Sequence, residues 1–461
     1  MDRLSPLDAA FLDVEDGDPH ASLAMASIAV VEGPPPDHAH FTAVIAARLR
    51  PVRRTRQKVR RLPWDLGLPL WVNDPDFDLG YHLRRTALPA PGGEVELTDL
   101  IGRIMDERLD RDRPLWECWV VEGLADGRWA MLFKVHHCLV DGVGGTALYS
   151  AVFTDEPVSA QDVPPQEQSP SMLRLLLGAV GDLATSPLRQ AQLVLRFSFL
   201  VAGHATGAVK GLAALAGVIT PAGPSSLSGP LGKPRRYRVA RASLTDIARV
   251  GKSFGVTVND VVLAAITIGF RALLLDRGEL PAADTVRTMV PVSVRAHERS
   301  TSVDNRLSVL MPFLPVDLVD PLEVLTAVHE RMAALKESGA SEAGQAVVAL
   351  AEQEPFAPLS WGIRFAAGLP QRTVVTVTTN VPGPRDVVHL FGKRVVEILP
   401  FVPIAARLRT GVAAMTYRDR LAIGITADYD STPDIDLLAK TIEQALAGLV
   451  ALQRFEESDG R

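Results

Sequence analysis

Cysteine is nearly missing from this sequence: 461 residues contain two, Cys118 and Cys138, both in apolar surroundings. That excludes a disulfide framework and suits a reducing compartment. No lysine/arginine block dominates and the formal charge is −6, so nucleic acid is not an expected partner. No uninterrupted apolar run reaches the roughly 18 residues of a spanning helix. Met1-Asp2-Arg3-Leu4-Ser5-Pro6 is followed by acidic residues rather than an apolar signal core. The expectation is a cytoplasmic, non-spanning protein. Two catalytic motifs are absent as well. Without His-Glu-x-x-His there is no zinc-protease helix, and without Gly-x-Ser-x-Gly no serine-hydrolase elbow. What remains is 47% hydrophobic and 22% charged, the balance of a globular protein. The chain is long enough that two domains are expected.

Taken in order, Leu4 to Leu12 reads as a helix with Ser5 as N-cap and Pro6 in its first turn. Ser27 to Glu32 is strand-like and breaks at Gly33-Pro34-Pro35-Pro36. Phe41 to Leu49 is an amphipathic helix. Arg50 to Arg61 is basic, either a solvated face or a site for the phosphates of a ligand. A helix follows over Leu97 to Leu109, and residues 117–135 read as a hairpin turning at Asp126-Gly127. From about 155 to 235 proline punctuates an Ala/Leu/Gly/Val-rich stretch that reads as loosely amphipathic helices. Its 173–218 part suits packing between domains or a lipid surface. The second half returns to mixed α/β. Helices are expected at 244–254, 261–275, 322–336 and 435–452, with strands at 286–294, 307–316 and 373–379 and a hairpin over 411–427.

One stretch stands apart, Met131 to Gly145, MLFKVHHCLVDGVGG. An apolar strand ends on His136 and His137, and a glycine-rich turn with Asp141 and Gly142 follows. A rigid strand end is a good mount for an imidazole base that reaches a cavity. His137 and Asp141 are spaced like two ligands on one helical face, but the preceding strand and the lack of a third ligand argue against a metal.

The spacing of His136, His137, Asp141 and Gly142 resembles the active-site signature of the CoA-dependent acyltransferase superfamily. The companion motifs resemble one branch, the bacterial wax ester synthase/diacylglycerol acyltransferases. They are Leu4-Ser5-Pro6-Leu7-Asp8, Pro114-Leu115-Trp116, Val121-Glu122-Gly123-Leu124, Ser228-Gly229-Pro230-Leu231-Gly232, Asn259-Asp260-Val261, Pro291-Val292-Ser293-Val294-Arg295 and Asn380-Val381-Pro382-Gly383-Pro384. They lie in family order across nearly the whole chain. One departure is Ser228, where the family pattern has asparagine.

The resemblance implies an α/β fold of two chloramphenicol-acetyltransferase-like domains, each a mixed sheet flanked by helices, with an active-site tunnel between them. On that pattern, 1–155 is the domain carrying the histidines, 156–235 a helical linker and 236–461 the second domain. It implies His137 as general base and a positioning role for His136. Asp141 would hold the loop through a basic partner such as Arg295, and Gly142 would relieve crowding. Asn259 is expected to be an oxyanion donor or, equally, the N-cap of a helix starting at Asp260, with Asp260 a structural residue. The donor would be long-chain acyl-CoA, a co-substrate, with no cofactor and no metal. The acceptor would be diacylglycerol or a long-chain fatty alcohol. Products so apolar imply peripheral attachment to a membrane or lipid droplet. Two alternatives keep the fold: a condensation-type or polyketide-associated acyltransferase using a carrier-protein thioester, and a non-catalytic lipid-binding protein.

Overall fold

A computed structural model of the chain describes residues 2–63, 67–139, 148, 151–153, 221–293, 307–337 and 373–459. Helix α1 (Pro6–Gly17) starts where expected, with Ser5 Oγ accepting the Asp8 N–H at 3.1 Å. Strand β1 (Ala24–Val31) follows, then α2 (His38–Leu49), capped by Asp37. The basic run forms a 3-10 turn and strand β2 (Gln57–Arg60), paired to β3 (Leu70–Asn73). Three of its cations face carboxylates within the chain: Arg54 meets Asp2 at 2.7 Å, Lys58 meets Asp74 at 2.8 Å, and Arg61 meets both Asp13 and Asp16 at 2.8 Å. A single turn, α3 (Leu79–His82), leads into β4 (Leu83–Ala87). Helix α4 (Glu94–Asp106) precedes the hairpin of β5 (Trp116–Leu124) and β6 (Arg128–His136). Asp126 takes φ 62° in its turn, left-handed backbone that aspartate tolerates.

The second half opens with β7 (Arg235–Ser243) and α5 (Leu244–Phe254), which Ser243 caps and Gly255 ends at φ 67°. Helix α6 (Val258–Asp276) is next, then β8 (Thr288–Ser293), β9 (Leu307–Leu310) and α7 (Pro321–Glu337). The chain closes with β10 (Thr376–Val381), β11 (His389–Leu390), β12 (Lys393–Phe401), β13 (Thr410–Tyr417), β14 (Arg420–Asp428) and α8 (Ile435–Asp459). Residues 221–234 form no helix, and Ser228 makes an isolated bridge to Leu408. The apolar 173–218 stretch lies outside the described residues.

Two mixed six-stranded sheets organise the described chain, in the orders β11-β12-β1-β6-β5-β4 and β7-β14-β13-β10-β8-β9. In the first only β4 and β5 run parallel; in the second β10 is parallel to both β13 and β8. Helix residues Phe41, Ile45, Leu97 and Ile101 complete the core of the first sheet. Those of α6 and α8, among them Ile266, Phe270, Leu438 and Ile442, cover the second. Helix α6 has the length and composition of a membrane span, with mean hydropathy 1.8 over 18 residues. It escapes the uninterrupted-run criterion because Asn259, Asp260 and Arg271 break it. With 67% of that window buried, it is a core helix.

The halves are not separate in the sheets. Strand β12, from the C-terminal 236–461 stretch, pairs antiparallel with β1 of the N-terminal half, Ile28 opposite Leu399. A sequence boundary near 235 therefore does not coincide with sheet membership.

Candidate active site

Strand β6 runs between β1 and β5 with both neighbours antiparallel, so its end is held from two sides. Every residue of β6 after Arg128 is buried. The histidines stand where it runs out. The His136 N–H donates to Leu115 O at 3.0 Å, and the His137 N–H to Leu23 O at 3.1 Å. Leu115 belongs to the Pro114-Leu115-Trp116 landmark, whose role here is structural. Trp116 is fully buried and its indole N–H donates to Thr55 O at 2.8 Å. The next residues, His137–Leu139, turn as a 3-10 helix.

The two imidazoles have different surroundings. His136 is buried, with the Cys138 N–H donating to its Nδ1 at 3.2 Å and Cys138 Sγ 3.0 Å from the same nitrogen. Nδ1 is thus an acceptor, which leaves the proton of the neutral ring on Nε2. Nε2 faces Glu15 Oε2 at 3.3 Å. Burial is the largest influence on His136 and pulls its pKa below the usual 6.5, against the opposing pull of Glu15. At neutral pH the ring is therefore uncharged. His137 is half-buried, and its ring lies 4.0 Å from that of Phe11, tilted by 38°.

Glu15 is the charge of this site. Burial by itself would push its carboxyl up, but contact with His136, the Arg111 guanidinium and the Leu23 N–H outweigh that and hold it at about 2, against 4.5 for a free glutamate. The Leu23 N–H donates to Oε1 at 3.0 Å, and Arg111 binds Oε2. Arg108 ties the end of α1 to the same loop through Ala21 O at 2.8 Å. Lys134, two residues before His136, is also buried; its ammonium donates to Ile104 O at 2.6 Å and Glu107 O at 2.5 Å, capping the C-terminal carbonyls of α4. Cys118 and Cys138 are buried thiols whose pKa burial pushes above the range in which a thiolate forms near neutrality.

Of the residues singled out in the sequence, His136 and His137 lie together here. Asp141, Gly142 and Arg295 lie outside the described residues. Asn259 sits in the second half, half-buried as the second residue of α6. It is not the N-cap. Thr257 holds that place in a capping box: its hydroxyl accepts the Asp260 N–H at 3.2 Å, and Asp260 Oδ2 accepts the Thr257 N–H at 2.9 Å. Asp260, as expected of it, is structural, and it also meets His329 Nδ1 at 2.8 Å. Phe11, Glu15, Leu23 and Arg111 had no motif to mark them. The helix expected from the sequence stops at Leu12, whereas α1 runs on to Gly17, so the four-residue spacing that puts Phe11 and Glu15 on one helical face was not legible beforehand. Among the described residues no group of His, Cys, Asp or Glu is arranged to hold a metal.

The landmark Asn380-Val381-Pro382-Gly383-Pro384 is a close backbone crossing. A Cβ on Gly383 would lie 1.9 Å from Thr416 O, and the Gly383 N–H donates to Thr416 Oγ1 at 3.1 Å.

Two mixed sheets, the first completed by strand β12 from the C-terminal half, with a histidine pair at the end of its central strand β6, fit the chloramphenicol-acetyltransferase-like class of acyltransferases. The comparisons agree. Residues 4–262 match the wax ester synthase/diacylglycerol acyltransferase catalytic domain, and residues 303–449 match the WS/DGAT C-terminal domain. A Mycobacterium tuberculosis protein named "Probable diacyglycerol O-acyltransferase tgs1" is 46% identical over 98% of this chain and 97% of its own. The solved wax ester synthase/diacylglycerol acyltransferase of Marinobacter aquaeolei VT8 superposes with a TM-score of 0.66 at 23% identity, over 98% of this chain and 99% of that one. The first condensation domain of the CDA synthetase shares the fold at a TM-score of 0.58 and 16% identity, over 97% and 95% of the two chains. The chain belongs to the wax ester synthase/diacylglycerol acyltransferase family. It is an enzyme that moves an acyl group from a donor to an acceptor.

Proposed function

We propose that this enzyme esterifies diacylglycerol with a long-chain acyl-CoA to give triacylglycerol, and also accepts long-chain alcohols to give wax esters. An alcohol with a pKa near that of water, roughly 16, must lose its proton as it attacks the thioester carbon. The His137 imidazole takes that proton. The tetrahedral intermediate then collapses to the ester by breaking its C–S bond, and the departing CoA thiolate takes the proton from the His137 imidazolium, which returns the neutral base. Among the described residues of the site none is a ready nucleophile, both cysteines being buried thiols, and this favours direct transfer.

The observation that carries the reading is the contrast between adjacent rings. His136 is buried behind the strand end, while His137 is half-buried where the strand turns. Asn259 is a candidate donor to the oxyanion, a hydrogen bond that in other enzymes is worth about 3 kcal/mol. Asp141 would brace the loop. The enzyme would work in the cytoplasm, attached peripherally to a membrane or lipid droplet into which its apolar product escapes, and the 173–218 stretch is the surface we assign to that contact.

The test uses purified full-length protein, long-chain acyl-CoA and diacylglycerol in mixed micelles, with the product resolved by thin-layer chromatography. Triacylglycerol is expected, and His137→Ala should lower its rate by about 10²–10⁴-fold, the usual worth of general-base help. Unchanged activity in that variant would remove His137 as base. Ester formed only from a carrier-protein thioester would favour a condensation-type donor. Lipid bound without turnover would favour a binding protein.

A further inference from the structure

Phe11 and Glu15 are four residues apart and so lie on one face of α1. Each meets a different member of the histidine pair: the Phe11 ring lies 4.0 Å from that of His137, and the Glu15 carboxylate 3.3 Å from His136 Nε2. Glu15 reaches His137 by a second route. Its Oε1 accepts the Leu23 N–H at 3.0 Å, and Leu23 O accepts the His137 N–H at 3.1 Å. One carboxylate therefore lies against the side chain of the first histidine and, across Leu23 just before β1, is tied to the backbone of the second.

A carboxylate at 1% exposure is costly unless paired and hydrogen-bonded. Packing alone would be served at this position by leucine. Glu15 instead has a partner for each oxygen, the Leu23 N–H on Oε1 and both Arg111 and His136 on Oε2. Its contacts converge on the turn that carries the candidate base.

We propose that Phe11 and Glu15 are positioning residues for acyl transfer, with α1 acting as the jig that orients both imidazoles. Glu15 holds His136 as the neutral ring protonated on Nε2, with the Cys138 N–H on its other nitrogen, and so fixes the turn. Phe11 sets the plane in which His137 meets the attacking hydroxyl. The proposal rests on the assignment of His137 as base. A shift of about 1 Å in a reacting group can cost about 10²-fold in rate, so a defect of orientation falls on kcat and spares donor binding.

Steady-state kinetics and melting of four variants test this. Phe11→Leu keeps the apolar volume and removes the flat ring; Glu15→Gln keeps an acceptor for Leu23 and removes the charge. Each is expected to lower kcat by about 10- to 100-fold with KM for acyl-CoA within about twofold. Phe11→Tyr is expected to restore kcat to within about threefold of the parent. Arg61→Gln is the control for loss of scaffold. It removes the α1 ion pairs at Asp13 and Asp16 but touches neither histidine, so Tm should fall while kcat stays within about twofold. Normal kcat in both Phe11→Leu and Glu15→Gln overturns the proposal. So does an equal fall in Arg61→Gln, which would make α1 a scaffold only. His137→Ala keeps the two readings apart. If it is fully active, the base assignment fails. If it is inactive while Phe11→Leu and Glu15→Gln are normal, the positioning role alone fails.

Discussion

Glu15 and His136 form a pair whose protonation couples the site to acid stability. For Glu15 the folded pKa, about 2, lies below the free value of 4.5. As pH falls the unfolded chain takes up the proton first, so this group stabilises the fold above about pH 4.5 and loses that effect between there and pH 2. The shift corresponds to roughly 3 kcal/mol. His136 acts with the same sign. Burial lowers its folded pKa below 6.5, so its neutral form stabilises the fold above that pH and the contribution fades below it. The acid limb of stability should begin near pH 6.5 and steepen below 4.5. Urea midpoints followed from pH 7 to 3 check this, and Glu15→Gln should flatten the lower part of the curve. An equally steep fall in that variant would place the titration on another carboxylate.

At the scale of elements, helix α6, capped by Thr257, separates two uses of asparagine that the sequence left open. The capping box belongs to Thr257 and Asp260, so Thr257→Ala should cost about 1 kcal/mol of stability. Asn259, half-buried in the first turn and not the cap, should cost less than about 0.5 kcal/mol when changed to alanine. A fall in kcat beyond about tenfold at that small stability cost would assign Asn259 to the oxyanion. Stability lost without activity would leave it structural. The helix itself was legible because its apolar residues recur and a polar cluster precedes it. The 117–135 hairpin was legible for the same kind of reason, a turn dipeptide between two apolar runs. Strand β7 was not. Its arginines alternate with Tyr237, Val239 and other small or apolar residues, a pattern that in isolation suits a charged boundary. Those arginines turn out to be interface residues: Arg238 meets Asp99 of α4, and Arg241 meets Glu94 of α4 and Glu397 of β12, each at 2.9 Å. Partners more than a hundred residues away leave no local mark. The same holds for Glu15. The start of its helix could be read from the chain, but neither the extension of that helix from Leu12 to Gly17 nor the burial that makes the Glu15 charge consequential could.

Across the whole molecule, β12 decides how the two sheets behave. It pairs with β1, which itself pairs with the histidine strand β6, and it also packs against the second sheet. Tyr237 of β7 donates its hydroxyl to Pro400 O at 2.8 Å, and a Cβ on Gly424 of β14 would lie only 2.0 Å from that same carbonyl. Glycine at 424 is thus the condition for the close approach of β14 to β12. This arrangement predicts one cooperative thermal transition for the full chain by calorimetry, since neither sheet can open without unmaking the seam. Two resolved transitions would contradict it. Gly424→Ala is the sharper probe. The obstructing atom is backbone with no rotamer to yield, so β12 must move, and a cost of several kcal/mol is expected, as for overpacked cores at about 1–3 kcal/mol or more. Because β12 is one strand removed from β6, the shift should reach the histidines, and activity should fall at temperatures where the variant is still folded. A folded variant with normal turnover would mean that the seam serves stability alone and that β1 isolates the active site from it.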